Sequence, residues 1–182
     1  MLRAGEYYAS NNGEILHTIL GPCISTCIYD QKKKIGGMNH YLLPSLIHPN
    51  EIMTSKVGRY GMYAMELLIG ELIKYGAKRE NLAAKVFGGG NVLEFRKIDG
   101  DITGSNIKFA KKFLELEGIP LQKEDLGGYN GRKILFFTDT AKVLLKRFDM
   151  KRDMKIFNEE KSYKNLVLRR RKAEPASSMI MF

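Results

Sequence analysis

The chain opens with strand-like periodicity and changes to helical periodicity near its middle. Glu14 to Leu20 follows the turn signal Asn11-Asn12-Gly13 and carries Ile15, Thr18 and Leu20 as its apolar or β-branched positions. After Gly21-Pro22, residues Cys23 to Tyr29 alternate. Cys23, Ser25 and Cys27 face one way, and Ile24, Thr26 and Ile28 face the other. A polar loop from Asp30 to Lys34 leads into a further strand, Ile35 to Leu43, which stops at Pro44. Asn50 to Lys56 reads as loop, and so does His48-Pro49.

From Val57 the period becomes three and four. Val57, Tyr60, Ala64, Leu68, Leu72 and Tyr75 predict one face of a helix that Gly76 ends. Leu82 to Phe87 is a short strand closed by Gly88-Gly89-Gly90. Ser105 is placed to cap a second helix, with Phe109, Ala110, Phe113 and Leu114 buried and Gly118 as its stop. Ile119 to Asp125 predicts a strand. Arg132 to Thr138, apolar on both faces, predicts a central one. Asp139-Thr140-Ala141 turns into a last strand, Lys142 to Phe148. Strands in runs with two helices set among them predict an α+β fold rather than a regular βαβ wind.

The length, 182 residues, suits one domain. No apolar run approaches the roughly 20 residues of a membrane span, and no apolar signal segment follows Met1, which predicts a cytoplasmic protein. The net charge is +10, but residues 142–172 alone hold twelve Lys or Arg against four acids. We therefore divide the chain into a domain over 1–150 and a basic extension over 151–182. The extension contains the run Arg169-Arg170-Arg171-Lys172 and a disordered-looking stretch, Ala173 to Ser178. A basic run of this kind is usually a solvated segment, and its charge also suits acidic surfaces. Aromatic residues are not interleaved with it, so nucleic-acid binding is not expected. Met154, Ile156 and Phe157, or Leu166 to Leu168, are the positions that would instead add a packed element.

Two cysteines cannot make a disulfide framework. On one strand Cys23 and Cys27 would stand roughly 13 Å apart, beyond the roughly 7 Å a bridge tolerates. Neither the cysteines nor His17, His40 and His48 form a metal-ligand pattern, so no metal and no cofactor are expected. What the spacing does offer is a thiol–imidazole pair. A hairpin between Cys23 and His40 would fold the imidazole back beside the thiol, where it can act as the base that generates a thiolate. The plain alternative for either cysteine is an inert core thiol, and Cys27 is read that way. Gly88-Gly89-Gly90 lacks the lysine and helix of a phosphate loop and is read as a turn that another backbone approaches closely.

Several pieces in order resemble one family. They are Leu20-Gly21-Pro22-Cys23, Gly37-x-x-His40, Leu43-Pro44, Phe87 to Gly90, Ile102-x-Gly104-x-Asn106, Gly118-Ile119, Glu124-Asp125-x-Gly127-Gly128 and Gly131-Arg132. Together they resemble the chemoreceptor glutamine deamidases of the CheD family, from about Gly5 to about Arg147.

The resemblance implies an α+β sandwich shared with toxin-type cysteine deamidases. It implies hydrolysis of receptor glutamine side chains to glutamate with release of ammonia. Cys23 would be the nucleophile, His40 the general acid and base, and Thr18 the group that orients His40. His17 is the rival for that last role, but it points to the opposite face of its strand. Gly88, Gly89 and Gly90 would lie along the substrate groove. The implied partners are the cytoplasmic domains of methyl-accepting chemotaxis receptors and, in some members, a CheC-type phosphatase.

Pro22 departs from the serine usual before the cysteine, and it removes an N–H. That departure leaves a second reading, a weakly catalytic or non-catalytic adaptor for receptor or phosphatase. The basic extension lies outside the resemblance.

Overall fold

The structure is a computed structural model that describes residues 1–43, 56–92, 102–149 and residue 162. The expected stop at Pro44, the loops over 44–55 and all features of the basic extension beyond 149, apart from the exposed, helical Ser162, lie outside the described residues. Eight strands and two long helices are described. The strands are β1 (Tyr7–Ser10), β2 (Ile15–Leu20), β3 (Ile24–Asp30), β4 (Ile35–Asn39), β5 (Leu82–Gly88), β6 (Leu121–Leu126), β7 (Gly131–Phe137) and β8 (Val143–Phe148). The helices are α1 (Lys56–Lys74) and α2 (Ile102–Leu116).

Five strands form one sheet in the order β1-β4-β3-β5-β6, and three form another in the order β2-β7-β8. All described pairs are antiparallel except β5 with β6, which α2 connects as a single βαβ unit. Both helices contact the five-stranded sheet, α1 on β1, β3 and β4, and α2 on β3 and β6. The result is an α+β sandwich.

Strand alternation divides the core. Ile24 and Ile28 of β3 enter one cluster with Met65, Leu68 and Leu72 of α1 and Phe109 and Phe113 of α2. Cys23, Cys27 and Tyr29 enter the other, with Leu16 and Leu20 of β2 and Ile134 and Phe136 of β7. β3 is buried along its whole length because it separates these two cores. Each large aliphatic side chain so enclosed contributes about 1.5–3 kcal/mol.

Three local expectations need correction. β1 lacks a strong alternating pattern and was not expected; it is an edge strand whose Tyr7 and Tyr8 remain exposed. The buried stripe of α1 runs through Gly61, Met65, Leu68 and Leu72, not through Tyr60 and Tyr75, which are both exposed. At Gly61 the helix comes so close to the side chains of Phe109 and Leu43 that a Cβ would force them to shift. Ser105 is not a cap. α2 begins three residues earlier, and Ser105 is buried inside it. Phe109, Ala110, Phe113 and Leu114 do form its buried face.

No helix among the described residues is long and apolar enough to cross a membrane.

Candidate active site

Cys23 sits where the chain leaves the Gly21-Pro22 turn and enters β3. The β3–β4 ladder pairs Cys27 with Met38, and an isolated bridge pairs Ile24 with Tyr41 in the same register. Both bridge hydrogen bonds are 2.9 Å long. In that register His40 lies opposite Ser25, so it points to the same side as Cys23, one diagonal step away. Such diagonal positions lie about 7–8 Å apart, within reach of a long side chain. The hairpin thus brings the thiol and the imidazole to one face of one sheet.

The second sheet supplies the hydroxyl. Thr18 of β2 points into the space between the sheets, and its Oγ1 is 2.8 Å from His40 Nδ1. The same Oγ1 is 2.7 Å from the carbonyl oxygen of Leu2. Two oxygens at that separation need a proton between them, and only the hydroxyl can provide it. Thr18 therefore donates to Leu2 and accepts from Nδ1–H of His40. This places the ring's other nitrogen, Nε2, in its acceptor form.

The N-terminal segment holds His40 by its backbone as well. Gly5 N–H donates to His40 O at 2.7 Å, and His40 N–H donates to Glu6 O at 2.9 Å. Leu2 was not foreseen, because a backbone carbonyl leaves no mark in a sequence.

Burial sets the electrostatics. Cys23 and Thr18 have no exposed surface, and His40 is 4% exposed. Burial lowers the His40 pKa to about 4, and the Leu2 carbonyl beside the ring, which takes the Thr18 proton, opposes this only in part. The ring is therefore neutral at pH 7 and able to take a proton. Cys27, fully buried two residues before the strand's last apolar position, has its thiol pushed far up by the same desolvation, which nearby Lys85 only partly offsets. It is a buried thiol of the core between the sheets. Neither cysteine is in a disulfide. His17 lies on the opposite face of β2, opposite Leu135, away from His40.

Gly88, Gly89 and Gly90 are buried against the turn that carries Cys23. Gly89 N–H donates to Cys23 O, and Gly90 N–H donates to Gly21 O, each at 2.8 Å. At Gly88, φ is +113°, and a Cβ would collide with the Cys23 carbonyl. A glycine is required there on both counts. Asn106 of α2 accepts the Leu43 N–H at 2.9 Å and so anchors the segment just after His40. Its place inside the second helix was legible, but this use of its side chain was not.

The fold and this cluster define an α+β sandwich with a candidate thiol–imidazole centre between its two sheets. The chain matches the family described as CheD chemotactic sensory transduction over residues 42–147. It is 40% identical over 165 residues to the probable chemoreceptor glutamine deamidase CheD of Laribacter hongkongensis, covering 91% of this chain and 80% of that one. It is 43% identical over 161 residues to the protein of the same name from Herminiimonas arsenicoxydans, covering 88% of this chain and 79% of that one. The figure for its namesake in Methylobacillus flagellatus is 44% over 162 residues, covering 87% and 78%. The chain belongs to the CheD family. The 42–147 match begins just after His40, but the Laribacter match, at 91% of the chain, spans Thr18, Cys23 and His40.

Proposed function

We propose that this chain deamidates glutamine side chains in the cytoplasmic domains of chemoreceptors, with Cys23 as the nucleophile. Two things support the reading: the name shared by relatives 40–44% identical over most of the chain, and the buried Thr18–His40 contact beside Cys23.

In this mechanism His40 Nε2 takes the Cys23 proton, and the thiolate attacks the glutamine amide carbon. Backbone N–H groups of the Cys23 turn hold the oxyanion. His40 then gives its proton to the amide nitrogen, the C–N bond breaks and ammonia leaves. A water molecule, deprotonated by His40, attacks the thioester, releasing glutamate and restoring the thiol. Thr18 keeps the ring in the tautomer these steps need and accepts from the imidazolium that forms. Gly88, Gly89 and Gly90 serve the substrate groove from behind by fixing the turn that carries Cys23. The reaction belongs in the cytoplasm, with a CheC-type phosphatase as a further protein partner.

The experiment is incubation of the protein with a purified receptor cytoplasmic domain, followed by peptide mass spectrometry and an ammonia assay. The reading expects glutamine-to-glutamate conversion at discrete sites with matching ammonia. Binding of the receptor domain without conversion would instead favour the adaptor reading.

A further inference from the structure

One buried guanidinium lies outside the steps above. Arg132, on β7, is only 3% exposed. Its Nε donates to Asp125 Oδ1 at 2.7 Å, its Nη2 to Gly127 O at 2.6 Å and its Nη1 to Asn130 O at 3.0 Å. A carboxylate and two carbonyls are thus gripped by one rigid fork, and the loop between β6 and β7 is fixed by it.

That loop is the outermost of three stacked backbone layers. Gly127 N–H donates to Gly88 O at 3.0 Å, and Asn91 N–H donates to Gly128 O at 2.7 Å. These bonds tie the loop to the Gly88–Asn91 stretch. That stretch in turn holds the carbonyls of Gly21 and Cys23 through the N–H groups of Gly90 and Gly89. The layers meet at Gly90. A Cβ there would stand 2.7 Å from Asn130 O, 3.1 Å from Arg132 Nη1 and 3.4 Å from Gly21 O.

The peptide group carrying the Cys23 N–H lies between the two carbonyls held in this way. The ring of Pro22 locks its own φ near about −65°. Only ψ of Pro22 and φ of Cys23 then remain to orient that N–H. The serine-to-proline departure, which removes one donor, also stiffens the donor that follows it.

We propose that Arg132 is a positioning residue for the reaction at Cys23: through the two glycine layers it aims the backbone N–H groups of the nucleophile's turn at the oxyanion. The proposal rests on the reading of Cys23 as nucleophile. An alternative use of Arg132 is direct contact with substrate, since it also lines an open cleft of about 420 Å³ with Tyr129 and Arg147.

The test compares full-length Arg132→Lys and Gly90→Ala with the unaltered chain in two reactions. One is deamidation of a receptor cytoplasmic domain, which develops an oxyanion. The other is alkylation of Cys23 by iodoacetamide, a displacement at a saturated carbon that develops none. We expect kcat for deamidation to fall at least about tenfold in both variants, with KM and the alkylation rate each within about twofold.

Three outcomes overturn the proposal. In the first, kcat is unchanged in folded Arg132→Lys. In the second, KM rises while kcat holds, which would make Arg132 a substrate contact. In the third, alkylation accelerates in step with lost thermal stability, which would make its role only structural. Gly90→Ala keeps the arginine and presses on the same layers and on the fork itself, so it decides the matter if Arg132→Lys does not fold. Cys23→Ser, assayed in parallel, separates the two claims. Full activity there removes the reading of Cys23 and this proposal with it; lost activity there with unaltered Arg132→Lys removes the proposal alone.

Discussion

Thr18 on β2 and His40 just past β4, the strand of the other sheet, are twenty-two residues apart, yet a 2.8 Å contact joins them, and the proton on the Thr18 hydroxyl is already committed to Leu2. The hydroxyl is therefore an acceptor for His40. Thr18→Val keeps the shape and removes the hydroxyl, so Nδ1–H loses its 2.8 Å acceptor and the Leu2 carbonyl its 2.7 Å donor in a buried site. A loss of about 1–3 kcal/mol in unfolding free energy is expected. Deamidation should fall about 10–100-fold as the imidazole loses its fixed tautomer. Thr18→Ser, which restores the hydroxyl, should recover most of both. Denaturant unfolding and steady-state kinetics on the three proteins check this, and a Thr18→Ser as impaired as Thr18→Val would contradict it.

The depressed pKa of His40 has a signed consequence for stability. Above pH 6.5 the ring is neutral in both the folded and unfolded chain, so it adds no pH dependence. As pH falls from 6.5 toward about 4, the unfolded chain takes up a proton that the folded site refuses, and the folded state loses ground. The expected loss across that window is of order 3 kcal/mol. It should be absent from His40→Gln, which cannot titrate. Urea unfolding of both proteins at several pH values reads the difference directly. Parallel pH profiles for the two would show that His40 titrates normally in the fold.

Much of this arrangement was legible in the chain, and the limits of legibility have physical causes. The alternation along Cys23 to Ile28 did place Cys23 and Cys27 in one core and Ile24 and Ile28 in the other. The continuous apolar run Ile134 to Phe137 did mark the central strand of its sheet. The hairpin did return His40 to the face of Cys23. What failed had tertiary causes. β1 is short and half exposed, so its pattern is weak. The start of α2 was set too late because Ser105 is a good cap residue in isolation, while Ile102 and Thr103 are buried as the helix's first turn. The carbonyl of Leu2 and the fork of Arg132 act through geometry that no spacing rule encodes.

The basic extension offers a separate prediction. β8 ends at Phe148, and the family match ends at residue 147. A chain truncated after residue 150 is therefore expected to fold, to keep its reactive Cys23 and to turn over a small glutamine peptide at nearly the unaltered rate. Its affinity for anionic vesicles should drop, and what remains should depend less on salt, since surface attraction is screened beyond a Debye length of about 8–10 Å. Circular dichroism, turnover and vesicle co-sedimentation at two salt concentrations test the division. An unfolded truncation would move the domain boundary to the end of the chain.

The most direct test of the central claim sets the two cysteines against each other. Cys23→Ser and Cys27→Ser are purified, shown to be folded and given the same receptor cytoplasmic domain, and conversion of glutamine to glutamate is followed by peptide mass spectrometry. A hydroxyl is far less ionised and less nucleophilic than a thiol. The account predicts no conversion above background with Cys23→Ser, and near-normal conversion with Cys27→Ser at some cost in stability. Conversion that survives in Cys23→Ser, or that disappears only in a folded Cys27→Ser, would contradict it.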